Sequence, residues 1–144
     1  MDLALVSQRI ADAVKAVPDI VSSLPYVPEA VTVPCFYVGE VSETYDQTYG
    51  GGLVDAELVC RVLVDRTATE GSQAQLKRFM MRSGPTSVKA AIEGDRSQPQ
   101  SLGGACADLH VRRLQGHRMY RVGENTYYGA EWIIRVIGTD SEEE

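Results

Sequence analysis

The stretch "LVDAELVCRVLVD", Leu53 to Asp65, has the most regular pattern in the chain and decides how the rest must fold. Its apolar and charged residues alternate with a period of two, which places the two groups on opposite sides of an extended chain. The apolar side holds Val54, Ala56, Leu58, Cys60, Val62 and Val64, and the charged side holds Asp55, Glu57, Arg61 and Asp65. The pattern predicts a half-buried β-strand whose second face lies in water or in an interface.

Three further segments are rich in β-branched and aromatic residues and predict strands at about Val33 to Val41, Asp108 to Val122 and Thr126 to Gly138. A short turn, Gly123 to Asn125, joins the last two. In the last strand Glu131 and Arg135 lie opposite a face formed by Tyr128, Ala130, Trp132, Ile134 and Val136. The phase of the preceding strand changes between Val111 and Leu114, which indicates either a β-bulge or a misplaced strand boundary.

Apolar residues at spacings of three and four predict an amphipathic helix from Leu3 that ends at Pro18. Four prolines between residues 18 and 34 then favour an extended connection over the surface. The pattern Ser72-Gln73-Ala74-Gln75 predicts a capping box, and the helix that it starts should bury Leu76, Phe79 and Met80. A short helix with Pro85 in its first turn should follow and end at Gly94.

The order of these elements predicts an α+β fold, with a largely antiparallel sheet of about four strands and with the N-terminal helix and two central helices packed on one face. The 144 residues, 44% of them apolar, suit a single domain over residues 1–144. We find no apolar run near the roughly 20 residues that a membrane span needs and no basic and apolar leader at the N-terminus, so we expect neither a membrane protein nor an exported one.

The net charge of −6 argues against binding to nucleic acid or to an anionic membrane surface, because both attract basic proteins. Part of this charge lies in residues 139–144, an acidic tail that we expect to be solvated. The three cysteines are widely spaced and contain no Cys-x-x-Cys pair. We therefore expect free thiols in apolar surroundings rather than a disulfide framework or a zinc site.

The search for catalytic residues yields few candidates. His110 and His117 are seven residues apart on a predicted strand, so their side chains should point to opposite faces and not bind one metal together. Asp55 and Glu57 share a face and allow two interpretations, a carboxylate pair for acid and base catalysis or a solvated or subunit-contacting surface. Because no pattern around them predicts a desolvating pocket, we expect no catalytic, cofactor or metal site.

A run of glycines and a group of arginines are weaker candidates for a binding site. Gly50-Gly51-Gly52 precedes a strand, whereas a phosphate-binding loop leads into a helix, so we do not expect a nucleotide site there. Arg112, Arg113, Arg118 and Arg121 lie on the predicted hairpin of the last two strands. Their charges suit phosphate contacts and salt bridges to a neighbouring subunit equally well.

Five segments carry a family resemblance, in this order: "PCFYVGEV" (Pro34 to Val41), "TYGGGLVDAELVCRVLVDR" (Thr48 to Arg66), "SGPTSVKAAIEGD" (Ser83 to Asp95), "LGGACADLHVRRLQGHRMY" (Leu102 to Tyr120) and "YYGAEWIIRVIG" (Tyr127 to Gly138). Together they resemble the tail terminator proteins of long, flexible-tailed bacteriophages, in particular of phages that infect actinobacteria. The resemblance covers nearly the whole chain from Pro34, and its motifs are structural rather than catalytic.

The resemblance implies a virion protein, assembled in the host cytoplasm, that forms a homomeric ring, usually of six subunits. Such a ring sits at the head-proximal end of the tail tube, ends tube polymerisation and offers a surface to the head-side connector or stopper protein. DNA passes through its lumen without specific binding, and it needs no cofactor. The alternatives are another head-to-tail connector ring (a stopper or tail completion protein), a small α+β enzyme or ligand-binding module built around Asp55, Glu57 or His110, and a nucleic-acid-binding regulator.

Within the resemblance, the segment Tyr45 to Gly52 is expected to act as a mobile arm. A tight hairpin needs about two turn residues, whereas these eight residues can extend to about 27 Å, enough to reach a neighbouring subunit or the central hole. The alternative is a hairpin end with no partner. The residues expected to make the arm contacts are Tyr45, Asp46, Gln47, Thr48, Tyr49 and Gly50. The expected interface charges are Asp55, Glu57, Arg61, Arg112, Arg113, Arg118 and Arg121.

Overall fold

The computed structural model describes residues 1–44, 53–65, 70–94 and 99–139 and has the expected α+β architecture. Its helices and strands are, in chain order, α1 (Leu3–Val14), β1 (Ser22–Leu24), β2 (Cys35–Thr44), β3 (Leu53–Val64), α2 (Glu70–Phe79), α3 (Val88–Glu93), β4 (Asp108–Val122) and β5 (Asn125–Thr139). The four predicted strands are therefore confirmed as β2, β3, β4 and β5.

The described sheet has five strands in the order β1-β2-β3-β5-β4, so the prediction of about four strands was one too low. The additional strand, β1, pairs in parallel with β2 inside the proline-rich segment that was predicted to be a connection. The other neighbours are antiparallel. β1 escapes a sequence-based search because three residues are too few to show alternation, and an edge strand next to Pro25 needs hydrogen bonds on one side alone.

The main core lies between the sheet and the helices, which all pack on one face as predicted. The apolar side of β3 faces this core, together with Trp132, Ile134 and Val136 of β5. The helices contribute Val6, Ile10, Val14, Leu76, Phe79, Val88 and Ile92. A second, smaller cluster lies on the opposite face and contains Cys35, Tyr37, Leu63, Tyr120 and Val122. None of the helices in the described part of the chain combines the length and the apolar content needed to cross a membrane.

The helix boundaries differ from the prediction at the end of α1, which is Val14 instead of Pro18, and at two N-termini. α2 begins at Glu70, so Ser72 lies in its first turn and the predicted capping box is wrong. α3 begins at Val88, and its cap is Ser87, whose buried Oγ accepts a hydrogen bond from Ala90 N at 3.0 Å. Pro85 therefore precedes this helix instead of occupying its first turn. The predicted end of α3 at Gly94 is confirmed, because Gly94 caps it with φ +63°.

The predicted change of phase in β4 is confirmed as a register shift between Val111 and Arg113. A second shift lies between Gln115 and Arg118, around Gly116, whose φ of +67° is a conformation that glycine adopts readily. A third lies in β2 at Gly39. These bulges bend the strands and re-aim their side chains, so they determine which residues of β4 reach each face of the sheet.

Candidate functional site

The sheet face opposite the helices, called the open face below, carries a row of charged side chains from neighbouring strands. Arg135 of β5 donates two hydrogen bonds to Asp55 of β3, Nε to Oδ1 at 3.0 Å and Nη2 to Oδ2 at 2.8 Å. Arg112 Nη1 donates to Glu57 Oε2 at 2.7 Å. These four residues line a shallow cleft of about 280 Å³ with Ser42 and Thr44. The cleft is therefore polar and internally ion-paired.

The Asp55 carboxylate of this cleft is held in the ionised state. The hydrogen bonds from Arg135 lower the pKa of Asp55 below its usual value, against a smaller opposing effect of burial. Glu57 is in turn bound by Arg112. A general acid needs a raised pKa, so the geometry does not favour the interpretation of Asp55 and Glu57 as an acid and base pair.

A second polar cluster on the open face is centred on Glu131, which is 5% exposed. Glu131 Oε2 accepts a hydrogen bond from Arg61 Nε at 2.7 Å, and Glu131 Oε1 accepts one from Gln115 Nε2 at 3.2 Å. Arg61 also donates to the Tyr37 hydroxyl at 3.4 Å and lies over the ring of Tyr120 at 4.7 Å. These interactions join four strands, which indicates a structural role for the cluster.

The seven predicted interface charges differ in the contacts that they make within the chain. Asp55, Glu57, Arg61 and Arg112 form ion pairs within the chain, as described above. Arg118 lies over the Tyr120 ring at 4.3 Å, and Arg121 donates to the carbonyl of Gly123 at 3.2 Å. Arg113 is exposed and has no ion-pair partner among the described residues. Four of the seven predicted interface charges are therefore already ion-paired within the chain.

The two histidines occupy opposite faces of β4, as predicted. His110 pairs in register with Arg135, whose side chain lies on the open face, whereas the His117 ring packs 4.9 Å from Tyr128, which contacts the main core. The described residues contain no group of three or more His, Cys, Asp and Glu side chains that could hold a metal ion.

The two edges of the sheet have different chemistry. β1 forms one edge and is flanked by exposed apolar residues, Val21 at 60%, Tyr26 at 60% and Val27 at 53%. β4 forms the other edge with 15 residues and exposes Met119 and several arginines. The sequence-based search missed Val21, Tyr26 and Val27. Their only signal is the occurrence of large apolar residues in a proline-rich segment.

Some predicted residues lie outside the described residues, namely the arm positions Tyr45, Asp46, Gln47, Thr48, Tyr49 and Gly50 and the tail residues 140–144. A scan against protein-family models finds no match to this chain, and a search of curated proteins finds no significant match either.

Proposed function

We propose that the protein is a structural subunit of a homomeric ring at the head-proximal end of a bacteriophage tail tube, where it ends tube growth and presents a joining surface to the head. The observation that supports a ring is the pair of unlike sheet edges. A closed ring needs two different, complementary surfaces on each subunit, because every contact joins one surface of a subunit to the other surface of its neighbour.

The β1 edge supplies the first of these surfaces. It is short, and the residues that flank it, Val21, Tyr26 and Val27, expose more than half of their surface. Large apolar and aromatic side chains of this kind are enriched at the centres of protein interfaces. Their burial by a neighbour would remove apolar area from water and stabilise the assembly.

The β4 edge supplies the second surface. Its backbone pairs with β5 on one side and leaves a long row of peptide groups on the other. Long edge strands in soluble proteins are normally protected from pairing, and the bulges and arginines of β4 are protective features of this kind. They restrict which partner can dock there. The assignment of the ring to a tail tube, rather than to another assembly, comes from the sequence resemblance.

Native mass spectrometry combined with negative-stain electron microscopy tests the ring. The unmodified protein should give a closed ring, of six subunits if the resemblance holds, at high protein concentration. The double variant Tyr26→Ser, Val27→Ser should shift the population to monomers. Met81→Ser is the matched control, because Met81 is 54% exposed but belongs to the helix layer. A protein that stays monomeric at every concentration would refute the ring.

The position of the ring is tested by polymerising tail tube subunits of the same phage in its presence. A terminator should give tubes of limited length with a ring at one end. Tubes of unchanged length would instead favour the stopper or tail completion alternative. The Tyr26→Ser, Val27→Ser variant should lose the effect on tube length in proportion to its loss of rings.

A further inference from the structure

A groove on the helix side of the sheet, called the basic groove below, is lined by residues of β4 and β5, of the segment that follows α2, and of α3. Its volume is about 470 Å³. The lining consists of an apolar floor and four cationic side chains: Met80, Val111, Leu114 and Trp132 for the floor, and Arg82, Lys89, Arg112 and Arg113 for the cations. Such a groove suits an anionic ligand of peptide size with some apolar contact area.

The positive charge of the basic groove is not fully balanced by ion pairs among the described residues. Lys89 Nζ lies 2.5 Å from Glu93 Oε1, and Arg112 pairs with Glu57 on the open face. Arg82 and Arg113 are both exposed and have no ion-pair partner among the described residues. The chain as a whole has a net charge of −6. The basic groove is therefore a positively charged patch on a negatively charged protein.

We propose that the basic groove binds residues 140–144 of a neighbouring copy of this chain. That segment reads Asp-Ser-Glu-Glu-Glu and carries four carboxylates in five residues. Arginine pairs with carboxylates through parallel hydrogen bonds, so Arg82 and Arg113 can each hold one acidic side chain. The proposal rests on the self-association that is part of the proposed function, and it adds a specific contact to it.

The sheet register favours a neighbouring copy over the same chain. Residues 140–144 follow Thr139 and extend to at most about 17 Å. Arg113 pairs in register with Ile133, six residues before Thr139. That separation corresponds to about 20 Å between backbone positions along β5, so the chain would have to reverse direction after Thr139 and remain nearly fully extended for its last side chains to reach Arg113. A copy placed beside the groove meets neither restriction.

The first test uses a chain that ends at Thr139 and an acetylated peptide of residues 139–144. Trp132, the one tryptophan of the protein, lies in the groove floor and serves as a fluorescent reporter, with calorimetry as an independent measurement. The peptide should bind saturably and more weakly as salt is raised. The variant Arg82→Glu, Arg113→Glu should weaken binding by at least about tenfold, whereas Arg78→Glu, an exposed cation of α2 outside the lining, should leave it unchanged.

A peptide with Asp140→Asn, Glu142→Gln, Glu143→Gln and Glu144→Gln controls for charge and should not bind. The proposal is overturned if the acidic peptide does not bind, or if Arg78→Glu weakens binding as much as the groove variant does. Circular dichroism should show that the variants remain folded, because the substituted side chains are exposed.

A mixing experiment separates a neighbouring copy from the same chain, and separates this proposal from the ring. The truncated chain keeps an intact groove, and the full chain with Arg82→Glu, Arg113→Glu keeps an intact acidic segment. Each protein alone should lose the contact, and an equimolar mixture should restore one groove-to-segment contact and give a mixed dimer.

Rings of unchanged stability from the truncated chain would overturn the groove proposal and leave the ring proposal unaffected. Peptide binding and mixed dimers without any ring in the unmodified protein would support the groove proposal and refute the ring.

Discussion

Arg61 and Glu131 face each other across β3 and β5, with Arg61 Nε 2.7 Å from Glu131 Oε2. Tyr37 of β2 and Gln115 of β4 continue the same row on either side. Glu131 is nearly buried although it lies on the face opposite the helices. One hydrogen-bonded row therefore connects four strands, and its central ion pair is largely withdrawn from water.

Removal of one member of the Arg61–Glu131 ion pair should lower the free energy of unfolding substantially. Arg61→Ala leaves Glu131 buried with the Gln115 amide as its remaining partner, and breaking a buried pair in this way costs about 3 kcal/mol or more. The double variant Arg61→Met, Glu131→Leu should recover most of that loss, because it leaves no uncompensated charge. Urea denaturation of the single and double variants measures the free energy of unfolding. Equal losses in both would contradict the role of the charge.

The ion pair between Asp55 and Arg135 should make stability depend on pH at acidic values. Its hydrogen bonds lower the pKa of Asp55 in the folded state. The stabilisation is therefore fully present above the pKa that Asp55 has in the unfolded chain, about 3.9. It is lost as the pH falls through the lower pKa that Asp55 has in the folded protein. Asp55→Asn should cost at most about 1 kcal/mol at pH 7, since the pair is partly exposed.

The difference between the unmodified protein and Asp55→Asn should begin to shrink in thermal unfolding as the pH falls below about 4, and it should also shrink in high salt. Ser42→Ala, which changes a neighbouring hydroxyl of the same cleft, controls for local effects without a charge. A difference that stays constant from pH 7 to pH 3 would show that Asp55 acts through packing.

Gly129 should tolerate no side chain. It is buried on β5, and an added Cβ would overlap the Val62 carbonyl oxygen and lie 2.9 Å from Leu63 Cδ2. Gly129→Ala should therefore cost about 2 kcal/mol or more through overpacking. Gly39→Ala is the control, because its closest contact would be 3.2 Å from the Val59 carbonyl oxygen. Thermal unfolding compares the two, and an equal effect would contradict the steric argument.

The three cysteines should react slowly in the folded protein. Cys35, Cys60 and Cys106 are free and buried, as the sequence predicted. Burial raises the pKa of all three thiols, that of Cys106 to about 11. Since about one Cys106 thiol in a thousand is ionised at pH 8, labelling with a thiol reagent should be slow until denaturant is added. Rapid labelling of any cysteine in the native protein would contradict the burial.

The strands were predictable from the sequence because alternation is a local property. Val54 to Val64 places apolar and charged residues on opposite faces whatever the strand pairs with. The boundaries of β4 and its first bulge were recognisable for the same reason. The start of α3 was not, because Ser87 caps it through contacts with Ala90 and Met81 that depend on how the turn after α2 packs.

The candidate surfaces were predictable in part. Alternation placed Asp55, Glu57 and Arg61 together on one face, but their partners Arg135, Arg112 and Glu131 come from strands more than 50 residues later. Which residue faces which depends on strand order and register, and a bulge shifts the register. Val21, Tyr26 and Val27 became recognisable as an exposed edge once β1 was seen to end the sheet.

The sequence by itself determined the α+β class, the four long strands, the apolar side of each and the burial of the cysteines. These follow from residue spacing and from the free energy of burying apolar groups, which are local quantities. The tertiary structure alone decided the fifth strand, the ion pairs of the open face, the unlike sheet edges and the basic groove. Each of these arises where residues distant in sequence meet, and their positions depend on the pairing of the whole sheet.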